Sequence, residues 1–506
     1  MTNPPFKVIR TKAAGLLVVL LALLQMPGAN GSEKKDDMSS DQHKQAEQSL
    51  AQREDTGSFD MQWQRSLPVD QRDTGIGVIG GTEVRSLVGM NNKLYAGIGY
   101  WSDAKEDDPQ LPGGQVLVLD SPGSKWKVDL SLDERVKSGP QAGKRRYFAI
   151  AMLYGATFRS DLDGHKLAKP VQMLLAGVWD RLGQLQVLSK TADSASWSAS
   201  DIASDSNSRH AEIRSFFVYR DKITNIEHAF AGARINYDPQ PARIYCGGFD
   251  PAAGKIRWNE TAEAWAKDTP SLDMTTKASS RITAFAECNG KLYASVYNMI
   301  FERQDGPHPS WKLVFKFTPQ QPFGNGSSGF RGLSVVLDPT GTRQMLLVSL
   351  EHRPCRILRI DPRNFQSVPE INLSAVLSKQ WDTPVGYMIA GYNDMLNYHD
   401  PITSDSLTLI GFEAATPKLD GNFHHFNPSA HYVVRQSNAQ YLVREIADHS
   451  QDFKPVLESV RTMVNSPFPD DPPGTVYAGG FDCNSVPVHN MAWIYRGVRI
   501  KAPARP

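Results

Sequence analysis

"VYAGGFD", Val476 to Asp482, stands near the end of the chain, and "IYCGGFD", Ile244 to Asp250, stands in its middle. Internal repetition of this kind is the first sign of a repeat architecture. Aligning the chain on the phrase adds "LYAGIGYWSD" from Leu94, "LLAGVWDRLG" from Leu174 and "LYASVYN" from Leu292. "LLVSLEHRP" from Leu346 and "LIGFEAAT" from Leu409 complete the set. Two apolar residues precede a small one, often Gly, and an aromatic or acidic residue usually follows. The copies recur about every 64 residues on average, at the long end for units built of four strands.

The flanks recur as well. "VRSLVGMNNK" precedes the first copy and "SRITAFAECNGK" the fourth. Asn-Gly between alternating apolar segments signals a tight hairpin, because a type I′ turn needs positive φ at both central residues. "GQVLVLD" from Gly114, "GQLQVLS" from Gly183 and "GKIRWNE" from Gly254 read as third strands. Fourth strands are expected around Trp126, Trp197, Trp265 and Trp311. Each unit is therefore a four-stranded antiparallel meander, and no long amphipathic helix interrupts the series. A four-stranded sheet repeated radially is a propeller blade.

The chain thus resembles a seven-bladed β-propeller over roughly residues 60 to 500, an all-β fold, similar in architecture to Kelch and galactose-oxidase-like propellers. The Gly pairs at 247–248 and 479–480 are similar to the Kelch double glycine. The Trp-Asp dipeptides at 179–180 and 381–382 stand in dissimilar contexts, unlike WD repeats. The last unit runs out of chain after "HNMAWIYRG", whereas "FDMQWQRSLPVD", Phe59 to Asp70, matches the fourth strand of the first unit in its Trp, Leu and closing Asp. Residues Met61 to Leu67 are therefore expected to complete the last blade, since an unpaired edge invites aggregation.

Outside the repeat, Lys7, Arg10 and Lys12 precede an apolar run from Ala13 to Leu24, followed by Pro27, Gly28 and Ala29. That run is about 12 residues, and a spanning helix needs roughly 20, so residues 1–31 read as a cleavable signal peptide rather than an anchor. Residues 32–57 are charged, lack aromatics and read as a flexible linker. The propeller domain is expected over 58–500, with a tail at 501–506. A net charge of +1 carries no basic stripe for nucleic acid. The expected product is a secreted or periplasmic monomer. Its four cysteines, Cys246, Cys288, Cys355 and Cys483, permit two disulfides or four buried thiols.

In a meander the start of the first strand and the end of the second lie at one end of the sheet. Arg85, Arg214, Arg281, Arg331 and Arg461 stand at or near first-strand starts, and Asp103, Asp180, Asp250 and Asp482 at second-strand ends. Trp101 and Trp179 accompany them. Such a set either staples blades through Arg–carboxylate forks or binds an anionic or sugar-like ligand. For metal, His424, His431 and His489 are the candidates, although neighbouring His424 and His425 point to opposite faces of a strand. "SDLDGH" from Ser160 has the look of a calcium loop with too few ligands, and a polar hairpin turn is the better reading. No G-x-S-x-G, H-E-x-x-H or P-loop motif occurs. The expected function is a binding module for a small molecule, glycan or protein at one mouth of the channel. The alternative is a propeller enzyme, metal-dependent or using paired carboxylates. The sequence names no cofactor.

Overall fold

Short polar turns between alternating apolar segments set the architecture. In a computed structural model, Glu83–Met90 pairs antiparallel with Lys93–Gly99 across Asn91 and Asn92, both at positive φ. Asn289 and Gly290 do the same between Ile282–Cys288 and Lys291–Val296. These are the conformations that a two-residue I′ hairpin requires. The structure describes residues 59–68, 72–73, 77–100, 112–204, 210–235, 242–267, 281–318, 329–351, 354–392, 394–417, 425–426, 430–447, 457–481 and 492–501. The expected signal peptide and linker lie outside them. All belong to one compact unit, Gly57–Pro506. Among them the fold is all-β, apart from a short helix at Leu373–Gln380 begun by an Asn372 cap.

The first meander continues through Gly114–Leu119 and Lys127–Leu132. The next comprises Tyr147–Ser160, Lys166–Asp180, Gln184–Thr191 and Ser198–Ser204. Later ones start at Ala211, Ile282 and Gly329. In another, Tyr387–Ala390 and Leu396–His399 form a broken first strand against Ser406–Thr416. Buried residues form one apolar cluster after another along this series.

One unit departs from the sequence reading. Alignment on the opening phrase makes the stretch from Ile244 a second strand. In the structure Ala242–Asp250 is a third strand, pairing with Glu227–Ile235 on one side and Lys255–Trp258 on the other. "GKIRWNE" is consequently a fourth strand. The segment around Trp265 pairs in parallel with the outer strand Ser310–Lys316 of the following meander. The two "YxGGFD" phrases thus occupy different strands. What they share is crowding at the glycine backbone. A Cβ at Gly480 would meet the Ser459 carbonyl oxygen at 1.7 Å, and one at Gly248 would meet Leu162 Cβ at 2.6 Å.

A regular contact joins neighbouring meanders. Second-strand Gly97, Gly177, Gly411 and Gly479 face Ile150, Ile213, Val460 and Val84 on the first strand of the next sheet, with Gly479 facing back to the first. Hydroxyls also bridge neighbouring sheets. Leu153 N–H donates to Ser86 Oγ at 2.9 Å, Ser215 Oγ to the Ile282 carbonyl at 2.8 Å, and Thr283 Oγ1 to the Phe330 carbonyl at 2.8 Å. Ser349 Oγ donates to the Ala390 carbonyl, and Thr462 Oγ1 accepts from Leu87 N–H at 3.1 Å.

The last meander, Ser459–Asn465, Val476–Phe481 and Trp493–Lys501, takes its fourth strand from Phe59–Arg65. The strand lies two residues earlier than the expected Met61–Leu67. Trp63 pairs with Gly497, which pairs with Val476, the first residue of the repeated phrase. Trp311 occupies the corresponding place opposite Arg303, one step before the pairing of Glu302 with Tyr293. The missing Cβ of Gly497 makes room for the Trp63 ring, because it would come within 2.6 Å of the ring carbons. Trp63 also meets Tyr432 edge-on at 5.8 Å. Trp63→Ala is expected to cost about 3–5 kcal/mol as a large-to-small core change, read by urea denaturation. Gly497→Ala is expected to cost about 1–3 kcal/mol by overpacking in the native chain but almost nothing in the Trp63→Ala background. Additive costs would mean that the two residues do not share this space.

Candidate functional site

The inner strands carry a β-bulge close to their start. Register shifts fall between Val84 and Ser86, Ile213 and Ser215, Phe330 and Leu333, and Val460 and Thr462. The residues skipped by the pairing include Arg85, Arg214, Arg331 and Arg461. A bulge leaves its extra residue outside the ladder and re-aims the side chain. Near Arg281 the shift falls between Ile282 and Ala284, so there Thr283 takes the bulged place.

The arginines converge on glutamates. Glu83 takes Arg85 at 2.7 Å and, from the last meander, Arg461 at 3.2 Å. Glu212 takes Arg214 at 2.8 Å, Arg234 at 3.3 Å and Arg281 from the following meander at 3.5 Å. Glu351 takes Arg331 at 3.1 Å and a short hydrogen bond from the Tyr387 hydroxyl. Glu413 accepts from Ser459 Oγ at 2.8 Å. Arg461 and Arg331 both lie over the Tyr392 ring, at 3.6 and 4.4 Å from its centre, and Arg461 also lies over Phe481. Arg85 sits 5.7 Å from the ring of half-buried Trp179, whose other neighbours are Phe148 and His210. Arg85, Arg214, Arg331 and Arg461 are themselves buried.

Dense like charge in a dry setting reshapes the titration of these groups. Burial and the adjacent Arg281 push the Arg214 guanidinium well below its ordinary range, with Arg85 and Arg331 acting in the same sense. Burial alone would raise Glu212, but Arg214, Arg281 and Arg234 hold it well below the usual carboxylate range. Glu413 goes the other way: burial raises it to about 7, against the opposing pull of Arg461 and Ser459. Burial likewise raises Tyr392 to about 12.

The expected aspartates fare differently. Asp180 ends a second strand, as anticipated, and accepts from Arg146 at 3.0 Å. Asp250 ends a third strand, which puts it at the opposite end of its sheet from the arginines. There it caps a turn by accepting from Ala252 and Ala253 N–H. Asp103, Asp482 and Trp101 lie outside the described residues, as do His424 and His489. His431 is packed against Trp381 and Phe412. Among the described residues one group has metal-ligand spacing, Asp161, Asp163 and His165. It forms the polar hairpin turn read from the sequence, with Asp161 Oδ1 accepting from both Asp163 and His165 N–H. Cys246, Cys288 and Cys355 are buried free thiols, and burial raises Cys288 to about 11.

Sequence reasoning paired the arginines with aspartates and missed Glu83, Glu212, Glu351 and Glu413. The signal was present as Glu-x-Arg in "TEVRS" and "AEIRS", a spacing that sets both side chains on one face of a strand. Tyr392 carried no such signal, because it lies where the broken first strand leaves the ladder after Gly391 at positive φ.

No family model matches the sequence, and no curated protein matches it. Among the solved structures to which the chain is similar are three β-propellers. Saccharomyces cerevisiae Sqt1 is 10% identical over 84% of this chain and 97% of its own, with a TM-score of 0.39. Trypanosoma rangeli sialidase is 8% identical over 87% of this chain and 59% of its own, with a TM-score of 0.33. A β-xylosidase/α-arabinofuranosidase from a compost microbial metagenome is 11% identical over 60% of this chain and 97% of its own, with a TM-score of 0.30. TM-scores this low carry no inference about chemistry.

Two outcomes follow from the site. Glu212→Ala strands buried guanidinium groups and is expected to cost about 3–5 kcal/mol, whereas Asp250→Ala at the far end should cost only the loss of a turn cap, about 1 kcal/mol. Unfolded glutamate titrates near 4.5 and folded Glu413 near 7, so between these values the folded state holds the extra proton. Stability supplied by that proton is present below pH 4.5 and is lost as pH rises through 7, an effect of about 3 kcal/mol. Urea denaturation at pH 5 and pH 8 should therefore show Glu413→Gln gaining on the native chain at pH 8; equal pH slopes would refute the assignment.

Proposed function

We propose that the chain is an exported, seven-bladed β-propeller that acts as a binding module. On this reading it takes an anionic or sugar-like ligand, whether a small molecule, a glycan or a protein segment, at the arginine-rich end of its channel. The observation that carries the reading is the convergence of Arg85, Arg214, Arg281, Arg331 and Arg461 from separate strands onto one charged cluster flanked by Tyr392, Phe481 and Trp179. Guanidinium forks match carboxylates, and aromatic faces match the apolar faces of sugars. The blade count is supported by the recurring hydroxyl and glycine contacts and by the pairing of Phe481 with Glu83, which brings the last sheet to the first. Export rests on the basic, apolar and small-residue order of residues 1–31. Among the described residues no helix is long and apolar enough to cross a membrane.

A second reading, a glycan-cleaving enzyme working with paired carboxylates, is favoured by one observation. Glu413 holds its proton to about pH 7, as a general acid must, while Glu351 lies near it in contact with Arg331 and Tyr387. Screening tag-free protein against acidic and neutral glycans separates the readings: retention of intact acidic glycans supports binding, and released sugar supports hydrolysis. Trp179→Ala is expected to weaken retention at least about tenfold with little change in the thermal midpoint. A chain that neither retains nor cleaves any member of the panel would overturn both.

A further inference from the structure

Glu413 is a buried carboxyl group under the influence of two of the clustered arginines. It lies on Ser406–Thr416, the second strand of its meander. From the next meander it faces Ser459 and Arg461, and from the preceding one Arg331 and Glu351. From the first strand of its own sheet come Tyr387 and Tyr392, and His431 stands on the third strand, paired with neighbouring Phe412. Glu458 sits beside Ser459 and is buried. Two of these groups, Arg461 and Arg331, are the guanidinium groups stacked on Tyr392. An ionised Glu413 would therefore share its cations with any incoming anion in a buried setting, where like charges repel strongly.

We propose that the arginine cluster binds a carboxylate-bearing small molecule together with one proton, and that Glu413 is the residue that takes the proton up. This rests on the binding reading given above and adds its ligand class and its regulation. With Glu413 neutral, Arg461 and Arg331 keep their contacts with Glu83 and Glu351 and lose only the pull of Glu413, while Ser459 keeps a hydrogen-bond partner. With Glu413 ionised, its charge adds to those of the salt-bridged Glu83 and Glu351 and the external anion is disfavoured. Ligand affinity and proton affinity then raise each other, because coupling between two bound species is reciprocal. The elevated titration of Glu413 sets the window in which the exchange is felt, close to neutral pH. An acidic ligand would be held in mildly acidic surroundings and released in alkaline ones. Neutral sugars would show no such dependence.

Isothermal calorimetry of the full chain tests this with sodium glucuronate as the probe, glucose as the neutral control and sulfate as a second anion. Neither anion titrates between pH 6 and 9. Glucuronate affinity is expected to fall about tenfold per pH unit above 7, the limiting slope for one linked proton. Titrations at pH 8 in buffers of different ionisation enthalpy should report close to one proton taken up per anion. Glu413→Gln should bind glucuronate with the same affinity from pH 6 to 9 and take up no proton. The buffer comparison uses only the native chain, so it decides the matter even where that variant fails to fold. Glucuronate binding that is independent of pH, without proton uptake, overturns the inference and leaves the binding reading standing. Sulfate alone binding would overturn the carboxylate assignment. The absence of binding by any probe from pH 6 to 9 would overturn both.

Discussion

A side-chain hydroxyl on the innermost strand, bonded to the backbone of the adjoining sheet, is the contact on which the arrangement of sheets depends. Ser86, Ser215, Thr283 and Thr462 all perform it, and Ser349 does the same from a second strand. Bulges leave ladder groups without their regular partners, and a buried backbone amide or carbonyl without a partner is costly. The hydroxyls supply partners at those points, and they do so across the junction rather than within a sheet. Each of these junctions thereby gains a directional link in addition to apolar packing. The glycine opposite Ser215 allows the approach, since a Cβ at Gly232 would lie 2.6 Å from Ile282 Cβ.

The bulge, hydroxyl and arginine form one local device. In "VRSL", "IRSF" and "VRTM" the arginine is the extra residue and the hydroxyl follows immediately. The same distortion that aims the guanidinium inward puts the hydroxyl at the junction. Buried arginines need counter-charges, and the glutamates at Glu83 and Glu212 begin the very strands that carry the arginines. Structural and chemical demands therefore fall on one turn of chain. Charge in this core is arranged by strand geometry, and neither the loops nor the outer strands are needed to explain it.

The sequence made most of this fold legible because its strongest signals are local. Asn-Gly turns, alternating apolar residues and the recurrent small residue each fix a hairpin. The pairing of Trp63 with the last sheet was also readable, since the N-terminal segment carries the tryptophan, leucine and spacing of an outer strand. Phase was the weak point. "IYCGGFD" obeys the crowding rule of a second strand yet lies in a third, where Gly248 gives way to Leu162 of a neighbouring hairpin rather than to an inner strand. One composition answers two steric problems, and alignment cannot tell them apart. The charged cluster was half legible: the arginines stood out by position, but their glutamates were overshadowed by more conspicuous aspartates. Tyr392 depends on a broken strand, which no periodicity announces.

Pairing Phe59–Arg65 with Trp493–Lys501 joins segments more than four hundred positions apart. Sheets built from neighbouring segments can assemble as the chain becomes available, but this one cannot. Its outer strand is made first and must wait for a partner made last. Contacts between distant segments carry the largest loop-closure entropy and slow the final step of folding. Until that step the apolar face of the early strand, with Phe59, Met61 and Trp63, has nothing to cover it. A chain interrupted before Trp493 would keep both edges open and be a ready target for proteolysis or aggregation. The pairing therefore also acts as a test of completeness: only a chain carrying both ends of this unit reaches the protected state.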